Sequence, residues 1–155
     1  MIDTNGCACI DDLPPKLKTE QILSTGDVLL SLTGNVGRVG IVCEDNLLLN
    51  QRVAKVKASA DKIPFIYFLL REPSVKKMME LISKGTAQAN LSPIETLKLE
   101  IDYSHIVESE YKEILSTVFN KIVSNTCENK RLEDLRNTLL PKLISGELDV
   151  SELEL

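Results

Sequence analysis

Residues 27–57 read Asp27-Val-Leu-Leu-Ser-Leu-Thr-Gly-Asn-Val-Gly-Arg-Val-Gly-Ile-Val-Cys-Glu-Asp-Asn-Leu-Leu-Leu-Asn-Gln-Arg-Val-Ala-Lys-Val-Lys57. Asp27–Leu32 and Arg38–Cys43 are short apolar or β-branched runs joined by the glycine-punctuated link Gly34–Gly37, which reads as two strands and a tight connection. Glu44-Asp-Asn46 is a hairpin turn into Leu47–Leu49, and the alternating stretch Arg52–Lys57 is a further strand. In it Val53 and Lys55 share one face and Arg52, Ala54 and Val56 the other, which leaves the core face open.

Outward from this block the period changes. Pro64 suits a first helical position with Ile66, Leu69 and Leu70 at helical spacing, and Pro73 opens a second helix with Val75, Met78, Met79 and Ile82 on one side and Gly85 as its stop. Ser92-Pro-Ile-Glu95 has the form of a capping box and predicts one short helical turn. Leu97–Ile101 alternates and predicts a closing strand.

Beyond residue 105 the chain changes character. Tyr111, Leu115, Val118, Ile122, Asn125, Asn129, Leu132, Arg136, Leu139 and Leu143 are spaced alternately by four and three residues, a coiled-coil seam broken by a polar layer. Glu108, Glu110 and Glu113 suit the N-terminal end of such a helix, Pro141 removes an amide donor from its last turn, and Gly146 ends it. A helix over residues 111–143 spans about 50 Å, against a radius of gyration of about 13 Å for a globule of the preceding length. Its own domain cannot cover it, so its seam requires a partner helix. The expected fold class is α+β: a small mixed or antiparallel β-rich domain with short helices over 1–105, a long coiled-coil helix over 106–146, and an acidic tail over 147–155.

The 155 residues suffice for one ordinary domain, and 43% hydrophobic content predicts a folded core. With 18 basic and 23 acidic residues the formal charge is −5, which argues against coating nucleic acid by bulk electrostatics. Aromatic residues are only 4%, too few for a base-stacking platform. No CxxC pair exists among Cys7, Cys9, Cys43 and Cys127, and His105 is the single histidine, so a zinc site lacks its ligand spacing. Cys43 and Cys127 stand alone in the sequence, and the four cysteines read as reduced, mostly buried thiols of a cytoplasmic protein. No basic-then-apolar leader or membrane span is present.

The segment Gly34–Gly40 matches neither GxxxxGK[ST] nor GxGxxG and runs into strand-like residues rather than a helix. No nucleophile elbow accompanies His105, and no catalytic constellation stands out. The charge, however, is uneven. Residues 52–84 hold eight basic and three acidic residues, whereas 106–155 hold six and ten. Polar side chains suited to base edges and phosphates lie in and around the basic stretch: Asn35 with Arg38, Gln51 with Arg52 and Lys55, and Lys84, Thr86, Gln88 and Asn90. Arg pairs with guanine and Asn or Gln with adenine through paired hydrogen bonds in the major groove, while Lys and Thr more often hold phosphates.

Three segments in order, Gly26–Val42, Asn50-Gln-Arg-Val53 and Gly85–Ser92, resemble the target recognition domain of type I restriction–modification specificity subunits. The stretch Leu132–Leu148 is similar to that family's spacer helix, and the likeness covers the chain from about Leu23 onward. The resemblance implies a recognition domain that reads one half of a bipartite double-stranded DNA sequence. Its long helix would pair with a second one, in a homodimer or with another specificity subunit. It also implies methyltransferase and restriction subunits as partners, and neither catalysis nor a cofactor in the subunit itself. The part before the helix is shorter than the family's recognition domain, and Ile101-Asp-Tyr-Ser-His-Ile106 replaces the proline-containing junction, so a half-length or truncated subunit is expected. The alternative is a remnant that pairs through its helix without reading DNA.

Overall fold

The computed structural model describes residues 8–13, 15–83, 89–101 and 108–148, with 108–110 given by backbone alone. Five strands follow a short 3-10 turn at Thr19–Gln21: β1 (Ile22–Leu23), β2 (Val28–Ser31), β3 (Val39–Ile41), β4 (Leu47–Leu48) and β5 (Val53–Lys55). Among the described residues four helices follow: α1 (Ile63–Arg71), α2 (Pro73–Ile82), α3 (Pro93–Thr96) and α4 (Glu108–Ile144). The class is α+β, as expected.

The central strand explains the layering. β2 lies between β3 and β5 in an antiparallel sheet, while β1 and β4 form a separate antiparallel ribbon. Val28, Leu29 and Leu30 are all buried because both sheet faces are covered. Their alternation sorts three core groups. Leu29 faces the ribbon with Leu23, Val42 and Val53. Val28 and Leu30 face the helices, Val28 with Ile41, Tyr67 and Phe119, and Leu30 with Val75, Met79 and Leu91. The same alternation resolves β5: Ala54 and Val56 turn to the helices, and Val53 to the ribbon.

Local signals account for most boundaries. Pro64 and Pro73 sit in the first turns of α1 and α2, and the Ser92 hydroxyl accepts from the Glu95 amide at 3.4 Å to start α3. The hairpin expected at Glu44–Asn46 does not form: β3 pairs with β2 and β4 with β1, so this turn carries the chain from the sheet to the ribbon, and in it Asn46 takes φ +61°, a left-handed conformation that asparagine tolerates.

Further local expectations are corrected. Leu97–Ile101 forms no strand: the Lys98 and Leu99 amides donate to Glu95 and Thr96, extending the α3 turn, although Leu99 and Ile101 still pack on the core. α2 stops at Ile82, where the Ser83 hydroxyl donates to the Glu80 carbonyl at 2.6 Å; the expected stop at Gly85 lies outside the described residues. Finally, the cysteines are not mostly buried: Cys9 is exposed, Cys43 and Cys127 are half-buried, and Cys7 lies outside the described residues. Cys43 and Cys127 are neighbours, and burial together with the Cys127 thiol pushes the Cys43 thiol up to about 12.

α4 runs 37 residues and continues through Pro141 to a left-handed Gly146 at φ +73°. Its first part is seated on the globule by Phe119, Ile122 and Val123. Among the described residues no helix is long and apolar enough to cross a membrane.

Candidate nucleic-acid interface

Backbone hydrogen bonds gather separate segments around the C-terminal end of β2. The Ser31 amide donates to the Arg38 carbonyl and the Leu32 amide to the Arg52 carbonyl, each at 2.8 Å. The Leu91 amide donates to the Leu32 carbonyl at 2.8 Å, and Thr33 forms an isolated bridge with Asn90. Three residues of one strand end thus hold Arg38, Arg52 and Asn90, far apart in sequence, at one edge. All three, with Asn35 and Gln51, are exposed.

Two turns aim these side chains. In the β2–β3 loop Gly34 and Gly37 take φ +70° and +76°, a region that strains other residues. Between them Val36 is buried beside Leu91 and Met79, so Asn35 is carried outward on a plugged loop. Gly37 also lies against α2: an added Cβ would stand 3.3 Å from both Lys76 Cγ and Met79 Cε. In the β4–β5 turn the Arg52 amide donates to the Asn50 side-chain oxygen at 2.8 Å, which leaves Gln51 and Arg52 at the tip.

A groove between the β2–β3 loop and α2 is lined by Asn35, Arg38, Lys76, Glu80 and Ser83. Lys76 and Glu80 face each other across one helical turn at 3.6 Å, both about half exposed. The arrangement combines amide and guanidinium groups able to make paired hydrogen bonds to base edges with an ammonium suited to phosphate.

Other sequence candidates fall elsewhere. Lys55 sits toward the opposite end of the sheet, with its ammonium 2.6 Å from Asp27 and 3.5 Å from the Ile22 carbonyl, so it is committed to structure. Lys84, Thr86 and Gln88 lie outside the described residues; the flanking Ser83 and Ala89 both line the groove. Lys76 and Arg71 were absent from the sequence candidates. Their signal was weak: Lys76 lies on the polar side of a helix whose apolar stripe is Val75 and Met79.

Along α4 the expected seam is largely open: Tyr111, Val118, Leu132 and Leu143 are 47%, 43%, 51% and 40% exposed, and Asn125 and Asn129 are exposed between them. Leu115, Ile122 and Leu139 are partly buried, Ile122 against the Phe119 cluster. Arg136 is exposed and 3.6 Å from Glu133. A second stripe, Phe119, Val123, Cys127 and Lys130, lies roughly a third of a turn round the helix and faces the globule. Lys130 is buried, with its ammonium 2.7 Å from Asp134 and 3.6 Å from Glu44. Its pKa is raised, the hydrogen bond to Asp134 outweighing desolvation. Lys112 reaches Asp61 at 2.8 Å, and that bond holds the Asp61 carboxyl down at about 2.

The chain is similar over most of its length to type I restriction enzyme specificity subunits. The chain is 30% identical over 134 residues to the type I restriction enzyme HindI specificity subunit of Haemophilus influenzae, covering 84% of this chain and 29% of that protein. It is 26% identical over 141 residues to the MjaVIII specificity subunit of Methanocaldococcus jannaschii, covering 85% of this chain and 33% of that one. It is 35% identical over 95 residues to the MjaIX specificity subunit of the same archaeon, covering 60% and 21%. The chain therefore spans a third or less of the length of these relatives. No family model matches it. No solved structure matches it.

Proposed function

We propose that this chain, similar over most of its length to type I restriction enzyme specificity subunits, reads double-stranded DNA as a half-length or truncated specificity subunit. The observation that carries the proposal is the convergence of Asn35, Arg38, Arg52 and Asn90 on the exposed end of β2. Arginine and asparagine are the side chains whose paired hydrogen bonds distinguish guanine and adenine in the major groove. Gln51 stands beside Arg52 at the same edge, and we assign Lys84, Thr86 and Gln88, outside the described residues, to the same task by residue type. We assign no catalysis and no cofactor to the chain itself. Methylation and cleavage would reside in the methyltransferase and restriction subunits it assembles with.

In this reading residues 1–105 form the recognition part, 106–146 the spacer and pairing helix, and 147–155 a tail. The open seam from Tyr111 through Leu132 to Leu143 supports pairing with a second long helix, in a homodimer or with another specificity subunit. Replacing Arg38 and Arg52 together by alanine tests the DNA-reading assignment. Each base contact is worth about 1–3 kcal/mol, so affinity for the preferred duplex should fall at least tenfold and discrimination should narrow. Unchanged discrimination would refute it.

A second reading has its own support. The exposed apolar residues Leu135, Leu140, Leu143 and Ile144 lie beyond Lys130, the last residue of α4 bonded to the globule among the described residues. A chain that only pairs through this helix would keep the seam and enrich no DNA sequence.

A further inference from the structure

We infer that Arg71 and Lys76, at the corner between α1 and α2, grip the DNA phosphate backbone while the adjoining loop presents Asn35 and Arg38 to the bases. This rests on the DNA-reading function proposed above, but it assigns a separate task to residues on different elements.

The corner is sharp. Arg71 ends α1, Pro73 begins α2, and Glu72 alone joins them in an extended conformation at φ −60° and ψ 129°. Proline at the start of α2 disfavours a helical Glu72, so one long helix is broken into two. The break brings the end of α1 and the first turn of α2 to one concave surface, shared with Arg38, Ser31 and Asn50.

Gly37 fixes how near Lys76 comes to the base-facing loop. With no side chain there, α2 approaches until Lys76 Cγ lies 3.3 Å from the position a Cβ would take. The stem of Lys76 therefore runs beside the backbone that leads into Arg38. Lys76 lines both the concave surface and the groove that holds Asn35, so it stands between the two. Its close carboxylate among the described residues, Glu80 at 3.6 Å, makes an exposed pair that salt screens and a polyanion can displace.

Arg71 is held differently. Its guanidinium carbon lies 5.3 Å from the centroid of the Tyr67 ring, and that ring is buried. A buried aromatic platform restrains the guanidinium and leaves its in-plane N–H groups for an acceptor. A planar fork and a point charge on one open surface fit the spaced phosphates of a duplex, which take both bidentate and single contacts. They also reconcile a net charge of −5 with the proposed DNA binding, because Arg38, Arg71 and Lys76 share one open surface.

The test measures equilibrium binding of the full chain, with methyltransferase subunits present, across a salt series. Two probes are used: a duplex of mixed sequence and a duplex carrying the sequence enriched by selection. The combined Arg71→Gln and Lys76→Gln variant keeps both stems, and thermal melting checks its fold. Each lost phosphate contact lowers the slope of log affinity against log salt by about 0.9, so the double variant should lose about 2 in slope. Its affinity should drop similarly on both duplexes, leaving their ratio unchanged. Lys77→Gln removes the same charge from the next residue of α2, which lines neither concavity, and should change affinity less than about twofold. An unaltered slope, or a double variant that merely doubles the Lys77→Gln effect, overturns the inference. If the unmodified chain prefers neither duplex but the slope still falls, the phosphate grip stands and sequence reading fails.

Discussion

Phe119 of the long helix meets Tyr67 of α1 edge to face, with ring centroids 5.1 Å apart and 65° between their planes. Both rings are buried, and Val28 and Ile41 of the sheet complete the same cluster. This contact joins the helix that extends away from the globule to the globule itself. Phe119→Ala should therefore cost about 3–5 kcal/mol in chemical denaturation. The neighbouring Val118→Ala, on the open side, should cost under about 1 kcal/mol. Equal costs would mean that α4 is not seated through this face.

Acid should loosen the same junction. The Lys112 ammonium beside Asp61 holds that carboxyl at about 2, below its ordinary 3.8. A carboxylate with a lowered folded pKa stabilises above its unfolded value, and the contribution disappears as pH falls through the folded one. Stability of the native chain should therefore decline between about pH 4 and pH 2, and Lys112→Ala should flatten that decline. Urea midpoints over this range measure it; identical acid limbs would exclude the pair. For Lys130, whose pKa is raised, the sign reverses: its contribution is present below the ordinary 10.5 and is lost as pH rises through the folded value.

Gly34 and Gly37 separate backbone strain from steric contact. Both have positive φ, but a Cβ at Gly34 meets nothing within 4 Å whereas one at Gly37 presses on α2. Gly34→Ala should cost about 1–2 kcal/mol from the left-handed backbone alone. Gly37→Ala should cost about 1 kcal/mol more and should also weaken DNA binding, because it pushes Lys76 away from the loop. Denaturation and binding measured on the same two variants test this ordering.

The open seam predicts association. Leu132→Glu with Leu143→Glu should shift the chain toward monomer in sedimentation equilibrium while the denaturation midpoint of the monomer barely moves, since both residues are exposed. Association unaffected by the two glutamates would place the partner surface elsewhere.

The sequence was most legible where one physical constraint acts alone. β2 to β5 follow from apolar runs cut by glycines and turn residues, and α3 from Ser92 and Pro93, whereas the parting of β3 and β4 into different sheets has no local signal. Leu97–Ile101 alternates as a strand does, yet its backbone is already committed to the α3 turn, which side-chain pattern does not reveal. α4 carries two apolar stripes, and the heptad spacing selects the open one while Phe119, on the other, seats the helix. At the candidate interface Arg38, Arg52 and Asn90 could be chosen by residue type, but their meeting depends on hydrogen bonds to β2 across many residues. Lys76 and Arg71 depend on how closely α2 approaches Gly37, a packing result with no local signature.

The central claim is that the edge formed by Asn35, Arg38, Arg52 and Asn90 reads DNA sequence. The most direct measurement is selection from a duplex pool with randomised positions, using the full chain with methyltransferase subunits. It is repeated with all four residues changed to alanine. The account predicts that the unmodified chain enriches one short sequence and that the variant, still folded and still associating through α4, enriches none. Enrichment of the same sequence by both, or by neither, would contradict it.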